Sequence, residues 1–395
     1  MSQRIYLDHA ATTYLKPEVF VEMSPFFSIN YGNPSSIHAF GREARKAVEV
    51  ARERVAKALN AQSGEIFFTS GGTEANNWAL KGIVAANKSK GNHIITSMIE
   101  HHAVLHTCEN LEKLGFEVTY LPVDENGIVS PEQVKDAITD ETILISIMSA
   151  NNEIGTLQPI EEIGKIAAEA GIYFHTDAVQ SVGSIKLDVK ALSIDALSLS
   201  AHKFYGPKGV GALYVKKGVR MDNLMHGGAQ EKNRRAGTEN IPGIVGLGKA
   251  IEIADSSINQ YAQRMKSLRD MMINGIKDNV EFVRLNGHST KRLPGNANLS
   301  FEFIEGESLL LSLDMKGIAA SSGSACTSGS LDPSHVLLAI GLSHEIAHGS
   351  LRLTFGDANT EQDVAYVLEV LPDIVSRLRD MSPLFARREE GPSYV

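Results

Sequence analysis

Cysteine is scarce in this sequence, and long hydrophobic runs are absent. The 395 residues include two cysteines, Cys108 and Cys326, which provide no disulfide framework and suit a reducing compartment. No stretch reaches the length of a membrane-spanning helix, and the first residues lack the apolar run of a signal peptide. We therefore expect a cytoplasmic protein that has no membrane partner.

Positive charge is also in deficit. The chain has 38 lysines and arginines against 47 aspartates and glutamates, which gives a net charge of −9. Proteins that bind nucleic acid directly present a basic face to the phosphates, so we expect no direct nucleic-acid partner. The remaining composition, with 43% hydrophobic and 22% charged residues, is that of a globular protein. The length is sufficient for a large core and for two domains.

Strand-like and helix-like stretches alternate between residues 65 and 215. The predicted strands cover 65–69, 93–97, 117–122, 142–149, 173–177, 195–201 and 211–215. The predicted helices begin near residue 74 and at 103–114, 131–138 and 160–170. This alternation predicts an α/β fold with a mostly parallel sheet that helices cover on both faces. Ligands of such sheets bind at the carboxyl ends of the strands, where the sequence places Thr73, His101, Asn152, Asp177, Gln180 and Lys203.

The pattern changes after a long helical stretch with some breaks at 247–276. Short predicted strands then lie at 282–285, 298–303, 318–321 and 350–355, and they are mixed with predicted helices at 307–316 and 361–381. This mixture predicts a second, smaller α+β domain.

Lys203 ends a predicted buried strand, next to Ser200 and His202. Burying a lysine is costly unless it loses its proton or its nitrogen takes part in chemistry. A lysine with a lowered pKa can form a Schiff base at neutral pH. The alternative is a solvated loop lysine that follows the strand, and the neighbouring sequence alone does not exclude it.

A glycine-rich junction, Gly71-Gly72-Thr73, lies between a predicted strand and a predicted helix. The free N–H groups and the dipole of a helix N-terminus can bind a phosphate, and the alternative is an ordinary helix start. Neither a Walker sequence nor a GxGxxG sequence is present, so no nucleotide cradle is indicated. Thr238, in a polar glycine-rich loop at 227–241, is another hydroxyl candidate for phosphate.

Asp177 allows two interpretations, and so do the histidines of the predicted helix at 103–114 and just before it. Asp177 could cap a following helix, or it could pair with the protonated ring nitrogen of a pyridinium cofactor. His102 and His106 share a helix face and could bind a metal, but no carboxylate or cysteine completes that site. We prefer a histidine ring that stacks on a planar cofactor.

Cys326 lies in the segment ASSGSACTSGSLD, which has almost no apolar residue to anchor it. An exposed thiol on a mobile loop suits a nucleophile that must travel, and the alternative is an incidental loop thiol. Cys108, on a predicted helix, is expected in the core. Arg352, in a predicted strand, could bind a carboxylate through two parallel hydrogen bonds, and the alternative is a surface arginine on an edge strand.

Longer motifs extend these observations over nearly the whole chain: YLDHAATT, YGNPSS, TSGGTEANN, EHHAVL, NNEIGTLQP, HTDAVQ, SAHKFYGPKGVG, RAGTEN and SSGSACTSGSLDPSHVL. In these motifs the sequence resembles the cysteine desulfurases of the NifS/IscS-like class, pyridoxal-phosphate (PLP) enzymes among the class-V aminotransferases of fold type I. The resemblance implies a large PLP-binding domain at 15–258, with a mostly parallel seven-stranded sheet flanked by helices. It also implies a smaller α+β domain at 1–14 and 259–395, which carries a mobile cysteine loop at about 321–332.

The resemblance implies a role for each candidate in the predicted cavity. Lys203 would form the Schiff base with PLP and move protons between the substrate carbon and the cofactor. His101 would stack on the ring and act in acid–base steps, Asp177 would keep the ring nitrogen protonated, and Gln180 would bind the phenolate oxygen. Asn152 would contact the cofactor or the substrate side of the ring. The phosphate would be held by Gly72, Thr73, Ser200 and His202, together with Thr238 from the partner subunit of a homodimer.

For the substrate, the resemblance implies that Asn33 and Arg352 bind the carboxylate of L-cysteine. Cys326 would attack the substrate sulfur, which leaves L-alanine and a persulfide on the enzyme. The persulfide sulfur would pass to an iron–sulfur scaffold or to another acceptor protein. No dedicated metal site is expected, although Cys326 could ligate an iron–sulfur cluster transiently. One departure from the family pattern is TFGDAN after Arg352, where the resemblance predicts a basic or aromatic residue near Asp357.

Three alternatives stay open from the sequence. A selenocysteine lyase or another class-V aminotransferase would need no mobile cysteine nucleophile. A sulfur-carrier or cluster-assembly platform would use PLP only as a structural group. A plain metal-binding module is the third alternative.

Overall fold

The computed structural model describes residues 4–322 and 333–389, and it does not describe the side chains of residues 387–389. Cys326 therefore lies outside the described residues. Within the described part of the chain, no helix is both long enough and apolar enough to cross a membrane.

The described residues alternate between strands and helices over most of their length. The strands are β1 (Ile5–Tyr6), β2 (Ile66–Thr69), β3 (His93–Ser97), β4 (Glu117–Leu121), β5 (Thr142–Ser146), β6 (Tyr173–Asp177), β7 (Ala196–Ser200), β8 (Gly211–Val215), β9 (Val283–Leu285), β10 (Asn296–Phe301), β11 (Ile318–Ala319) and β12 (Ser350–Thr354). The helices are α1 (Pro17–Met23), α2 (Pro25–Ser28), α3 (Ala39–Leu59), α4 (Gly72–Asn87), α5 (His102–Lys113), α6 (Pro131–Asp136), α7 (Ile160–Ala170), α8 (Gln230–Asn233), α9 (Ile241–Asn279), α10 (Gly306–Met315), α11 (His335–Ala339), α12 (His344–His348), α13 (Glu361–Asp380) and α14 (Pro383–Glu389).

A sheet of seven strands forms the centre of the N-terminal part, in the order β2-β8-β7-β6-β5-β3-β4. Strand β8 runs antiparallel to both of its neighbours, and the other six strands run in one direction. Every residue of β3, β5, β7 and β8 is buried, which accounts for their near-continuous small and apolar sequences. The predicted α/β fold with a mostly parallel sheet is confirmed.

Alternate strand residues pack on opposite faces of this sheet. On one face Ile95 of β3 packs in the same apolar cluster as Val55 of α3. On the other face its neighbour Ile94 packs with Trp78 of α4. Residues that are adjacent in the sequence thus stabilise different cores, as the two-residue period of a strand requires. The sheet therefore lies between two layers of helices.

Helix α9 connects the two parts of the chain. Its first turns pack in the cluster of the large sheet, and Met265, further along, packs in the core of the C-terminal part. The predicted breaks within 247–276 are wrong, because the helix is continuous over 39 residues. Ser256 and Ser257 do not interrupt it, since both hydroxyls donate to the carbonyl of Ile253 inside the same helix.

The C-terminal part combines short strands with helices. Strands β12, β10 and β9 form an antiparallel sheet in that order, and β1 pairs with β11 in parallel. The core of this part contains Leu299, Leu353 and Leu371, and Leu7 from the start of the chain packs into it. These elements form the smaller α+β unit that the sequence predicts. The residue at which one domain ends and the other begins stays a prediction.

Candidate active site

A cavity of about 270 Å³ lies at the carboxyl ends of the parallel strands. Most of the predicted site residues line it, namely Gly72, Thr73, His101, Asn152, Asp177, Gln180, Ser200, His202, Lys203 and Arg352. All of these except Arg352 end or follow a strand of the large sheet, and Arg352 belongs to β12 of the C-terminal part. The cavity is therefore in the position where a sheet of this kind binds its ligand.

Lys203 follows β7 at the end of a single 3₁₀ turn, Ala201–Lys203. Its Nζ donates to the carbonyl of Ala11 at 2.9 Å and to the carbonyl of Ala10. Ala10 and Ala11 also line the cavity, so the loop after β1 forms the wall against which the amine rests. An amine in this position is not a solvated surface lysine, and it can react with a carbonyl group held in the cavity.

The N-terminus of α4 contributes Gly72 and Thr73 to the cavity wall. No side chain caps this helix, so its first N–H groups are available to a ligand. At Gly72 a Cβ atom would lie 2.6 Å from Cγ2 of Val179, so only glycine fits between the helix and the chain after β6. Ser200 lines the cavity beside this turn. The arrangement suits an anionic group such as a phosphate.

Asp177 ends β6 and is buried. Its Oδ1 accepts the backbone N–H of Val179 at 2.9 Å, and its Oδ2 accepts Nδ2 of Asn76 at 2.6 Å. Asn76 is also buried, it lines the cavity, and its Oδ1 has no partner among the described residues. The carboxylate is thus held in a fixed orientation, ready to accept from a protonated ring nitrogen.

His101 is the residue immediately before α5, and its Nδ1 accepts the backbone N–H of Ala103 at 3.1 Å. The proton of the neutral ring is therefore on Nε2. Burial lowers the pKa of His101, and the positive charge of Lys203 lowers it further, while the negative charge of Asp177 opposes the shift. The ring is therefore neutral at neutral pH and can stack on a flat ligand.

His202 and Gln180 complete this part of the wall. Burial, with the positive charges of Lys203 and Lys208, lowers the pKa of His202 to about 4, and its Nδ1 lies 3.1 Å from Oγ1 of Thr12. Nε2 of Gln180 donates to the carbonyl of Ala10 at 3.0 Å. Both side chains are thus held by the loop after β1.

Arg352 is only 2% exposed, so the alternative of a surface arginine is wrong. Its guanidinium donates to Oδ1 of Asp8 at 3.0 Å and to the carbonyl of Asn152 at 3.1 Å. Its buried Nε has no hydrogen-bond partner among the described residues. A cation with an unused donor at a cavity wall suits the carboxylate of a small ligand.

Two predicted site residues are described but do not line the cavity of their own chain. Asn33 is exposed, and its Oδ1 accepts the backbone N–H of Ser35 at 2.9 Å. Thr238 is exposed in the segment between α8 and α9. Cys326 belongs to the residues that the structure does not describe.

The histidines of α5 form a ring cluster with His335 of α11. The rings of His102 and His106 stack with centroids 4.8 Å apart, and His335 lies 4.9 Å from His102. Among residues 4–322 and 333–389, no group of three or more histidine, cysteine or acidic side chains is arranged to hold a metal ion. Cys108 is buried as predicted, and burial raises the pKa of its thiol to about 12. That thiol is therefore not a nucleophile at neutral pH.

Asp8, Ala10, Ala11 and Asn76 are site residues to which the sequence analysis assigned no role. Asp8, Ala10 and Ala11 belong to the motif YLDHAATT, and Asn76 belongs to TSGGTEANN. The partners of these residues lie far away in the sequence, as with the 101 positions between Asn76 and Asp177. Their presence in these motifs was the sequence signal that could have marked them as site residues. That signal does not reveal which residues they contact.

Comparison with known sequences gives near full-length matches. The family model of the class-V aminotransferases matches residues 5–367. Cysteine desulfurase IscS of Clostridium botulinum (strain Hall) is 62% identical over 387 residues, which cover 98% of this chain and 98% of the relative. Cysteine desulfurase IscS of Methanosarcina thermophila is 60% identical over 383 residues, which cover 97% of this chain and 95% of the relative.

Solved structures give the same result. A NifS-like protein superposes with a TM-score of 0.90 at 40% identity, and the match covers 95% of this chain and 100% of the other. The protein SspA, solved in complex with cysteine, superposes with a TM-score of 0.77 at 39% identity, and the match covers 89% of this chain and 99% of the other. These similarities extend over both the large sheet and the C-terminal part.

Proposed function

The chain belongs to the class-V aminotransferases and is a cysteine desulfurase of the NifS/IscS-like class, and from this we propose how its residues hold PLP and L-cysteine. The reaction transfers the sulfur atom of L-cysteine to the thiol of Cys326. One C–S bond breaks and one S–S bond forms, so the products are L-alanine and a persulfide on the enzyme. When bound, PLP supplies an electron sink for the substrate carbon skeleton.

The observation that carries this proposal is the set of groups around one cavity. Lys203 supplies an amine, Asp177 a fixed carboxylate, and the N-terminus of α4 an anion site with no side-chain cap. An aldehyde, a pyridine nitrogen and a phosphate are the chemical groups that these three would bind. The residues present therefore fit PLP.

We assign the remaining contacts to PLP by their place in the cavity. The uncapped helix end with Thr73, Ser200 and His202 would hold the phosphate, and His101 would stack on the ring. Gln180, which Ala10 fixes, would donate to the phenolate oxygen, and Asn152 would lie at the substrate side.

Lys203 and His101 would handle the protons. The Nζ of Lys203 is held by two backbone carbonyls of the loop after β1, so it is placed to take a proton from the substrate carbon and to return it. His101 has its proton on Nε2 and could pass it to a leaving group in the same cavity.

Arg352 would bind the carboxylate of L-cysteine. Asp8 and the carbonyl of Asn152 orient the guanidinium, and the buried Nε is the donor left for the substrate. Asn33 lies outside the cavity of its own chain, so any contact with substrate would have to be made across a dimer.

We propose a homodimer, and an exposed apolar surface beside Asn33 supports it. Phe27, Ile29, Tyr31 and Ile37 are 63, 67, 66 and 90% exposed. Several exposed apolar side chains in one short segment of sequence favour a protein–protein interface. Thr238 would contribute to the phosphate site of the partner subunit.

The sulfur of a persulfide can be transferred to another thiol, so we propose a protein acceptor. An iron–sulfur scaffold or another sulfur acceptor would collect it from Cys326. The two cysteines of the chain suit a reducing compartment, and we place the reaction in the cytoplasm.

The proposal is tested by the intact mass and the alanine yield of the PLP-loaded enzyme after brief exposure to L-cysteine without reductant. We expect one added sulfur per chain in the wild type and none in Cys326→Ser or Lys203→Ala. Alanine formation that survives in Cys326→Ser would indicate a selenocysteine lyase or another aminotransferase instead. Sulfur delivery that survives in Lys203→Ala would indicate a platform with structural PLP.

A further inference from the structure

The segment at 227–240 contains a strained turn. The structure places α8, a single turn of mostly left-handed backbone, inside this predicted loop. Glu231, Lys232 and Asn233 have φ angles of +46°, +58° and +63°, the left-handed region that residues other than glycine rarely adopt. Three such residues in succession persist only where the surrounding structure holds them.

A buried ion pair holds the first of these residues. The Arg52 guanidinium donates to both carboxylate oxygens of Glu231, at 2.7 and 2.8 Å, and both side chains are only 3% exposed. Glu231 also accepts the backbone N–H of Phe68 at 2.9 Å, and Arg52 donates to the carbonyl of Ile66 at 2.8 Å. Phe68 and Ile66 lie in β2, at the edge of the large sheet. The pair thus occupies the open hydrogen-bonding edge of β2 and fixes the turn to it.

A second ion pair holds the segment after the turn. Arg235 donates to both carboxylate oxygens of Glu74, at 2.8 and 3.0 Å. Glu74 lies in the first turn of α4, next to Thr73. These two ion pairs help to fix the segment on its own chain, while Thr238, beyond the second pair, stays exposed.

We infer that Arg52 and Glu231 are positioning residues that act on the PLP site of the other subunit. By holding the strained turn, they keep Thr238 in the position from which it reaches the phosphate across the dimer. The inference rests on the proposed function, because it requires the homodimer and the contact of Thr238 with the partner's phosphate. It adds that the defect of an Arg52 or Glu231 variant appears at the site of the opposite chain.

Heterodimers with one active site test this inference. Two differently tagged chains are co-expressed, and one of them carries Arg52→Met with Glu231→Gln. Lys203→Ala is added to one of the two chains, so that only the other chain can form the Schiff base with PLP. The dissociation constant of PLP is measured by the Schiff-base absorbance, which only the site with Lys203 can give. In the first arrangement Lys203→Ala is on the chain with the Arg52 and Glu231 substitutions, so PLP binds only at the site of the other chain. There we expect PLP to bind about tenfold more weakly, the size of one lost charge-assisted hydrogen bond. In the second arrangement Lys203→Ala is on the other chain, so PLP binds only at the site of the chain with the Arg52 and Glu231 substitutions. There we expect PLP to bind as in the wild type.

Equal losses in both arrangements, or a loss only at the variant's own site, would overturn the inference. Arg52→Lys serves as a second variant if the double substitution does not fold. It keeps the charge but loses the two-pronged contact, and we expect the same asymmetry at smaller size. Thr238→Ala separates the inference from its premise. If Thr238→Ala shows the asymmetry and the Arg52 variants do not, the positioning role is wrong and the proposed function stands. If Thr238→Ala shows no asymmetry, or if no heterodimer forms, the proposed contact of Thr238 across the dimer is wrong, and the inference is wrong with it.

Discussion

At the scale of single residues, the reactivity of the cavity depends on side chains that orient other side chains. Asn76 donates to Asp177, and Asp8 accepts from Arg352. The sequence could suggest Asp177 and Arg352 as candidates, although each kept an ordinary alternative, a helix cap for Asp177 and a surface position for Arg352. It could not suggest their partners, since the pairs are 101 and 344 positions apart and a single sequence contains no record of such contacts.

Asn76→Ala is expected to lower kcat by about tenfold with little change in KM for L-cysteine, because the loss of one charge-assisted hydrogen bond leaves the Asp177 carboxylate less well oriented. Steady-state kinetics with PLP in excess measure both constants. Asn77→Ala is the matched control, since the amide of Asn77 donates to the carbonyl of Thr73 within α4 and not to Asp177. A kcat equal to that of the wild type in Asn76→Ala would contradict the role of Asn76.

Arg352→Lys is expected to raise KM for L-cysteine by about 10- to 100-fold, because lysine keeps the charge but loses the planar two-pronged donor. The exposed Arg284 of β9 offers a matched control, and Arg284→Lys should leave KM unchanged. If instead kcat fell and KM stayed constant in Arg352→Lys, Arg352 would act on the transition state and not as the carboxylate ligand.

At the scale of elements, the alternation of strands and helices predicted most of the fold, but it left open the direction of β8 and missed the continuity of α9, which depend on tertiary contacts. The antiparallel direction of β8 depends on the path of the chain between β7 and β8. The pattern of residues within the strands does not predict that path. The continuity of α9 was missed because its two halves pack in different cores, so its apolar residues do not form one stripe. The turn of α8 is held by Arg52 of a distant helix.

The junction of α4 with the chain after β6 gives an element-scale prediction. Gly72→Ala is expected to weaken PLP binding by at least about tenfold, because the added Cβ meets Val179 at 2.6 Å and displaces the helix end that would hold the phosphate. Val179→Ala in the same chain should recover much of the loss. PLP titration measures both variants, and Gly64→Ala, where the nearest atom is the end of the Lys232 side chain at 3.9 Å, is the control. No recovery in the double variant would contradict this steric explanation.

At the scale of the whole molecule, buried acids and histidines make stability depend on pH in opposite directions. Burial raises the pKa of Glu100 to about 8 and that of Glu153 to about 7. Burial lowers the pKa of His9 and of His202 to about 4. The acids stabilise the fold below their ordinary pKa of 4.5, and this contribution is lost as the pH rises through 7 to 8. The histidine contribution is complete above 6.5 and is lost as the pH falls through 4.

The Tm of the holoenzyme is therefore expected to fall between pH 6.5 and 9, where the acids titrate alone among these groups. In Glu100→Gln this fall should be smaller by about 2–4 °C, since the glutamine Oε1 can still accept from Ser97 and from the N–H of Met148 without ionising. Differential scanning calorimetry measures it, with the exposed Glu53→Gln as control. Equal slopes in the variant and the wild type would show that Glu100 does not ionise in this range.

The chain contains two thiols, so the position of the transferred sulfur tests the central claim most directly. The PLP-loaded enzyme is treated with L-cysteine, alkylated without reduction, digested and mapped by mass spectrometry. We predict that the extra sulfur lies on the peptide of Cys326. Burial raises the pKa of the Cys108 thiol to about 12, so we expect Cys108 to be either alkylated or unmodified, with no extra sulfur. A persulfide on Cys108, or alanine formed with no persulfide on either peptide, would contradict the account.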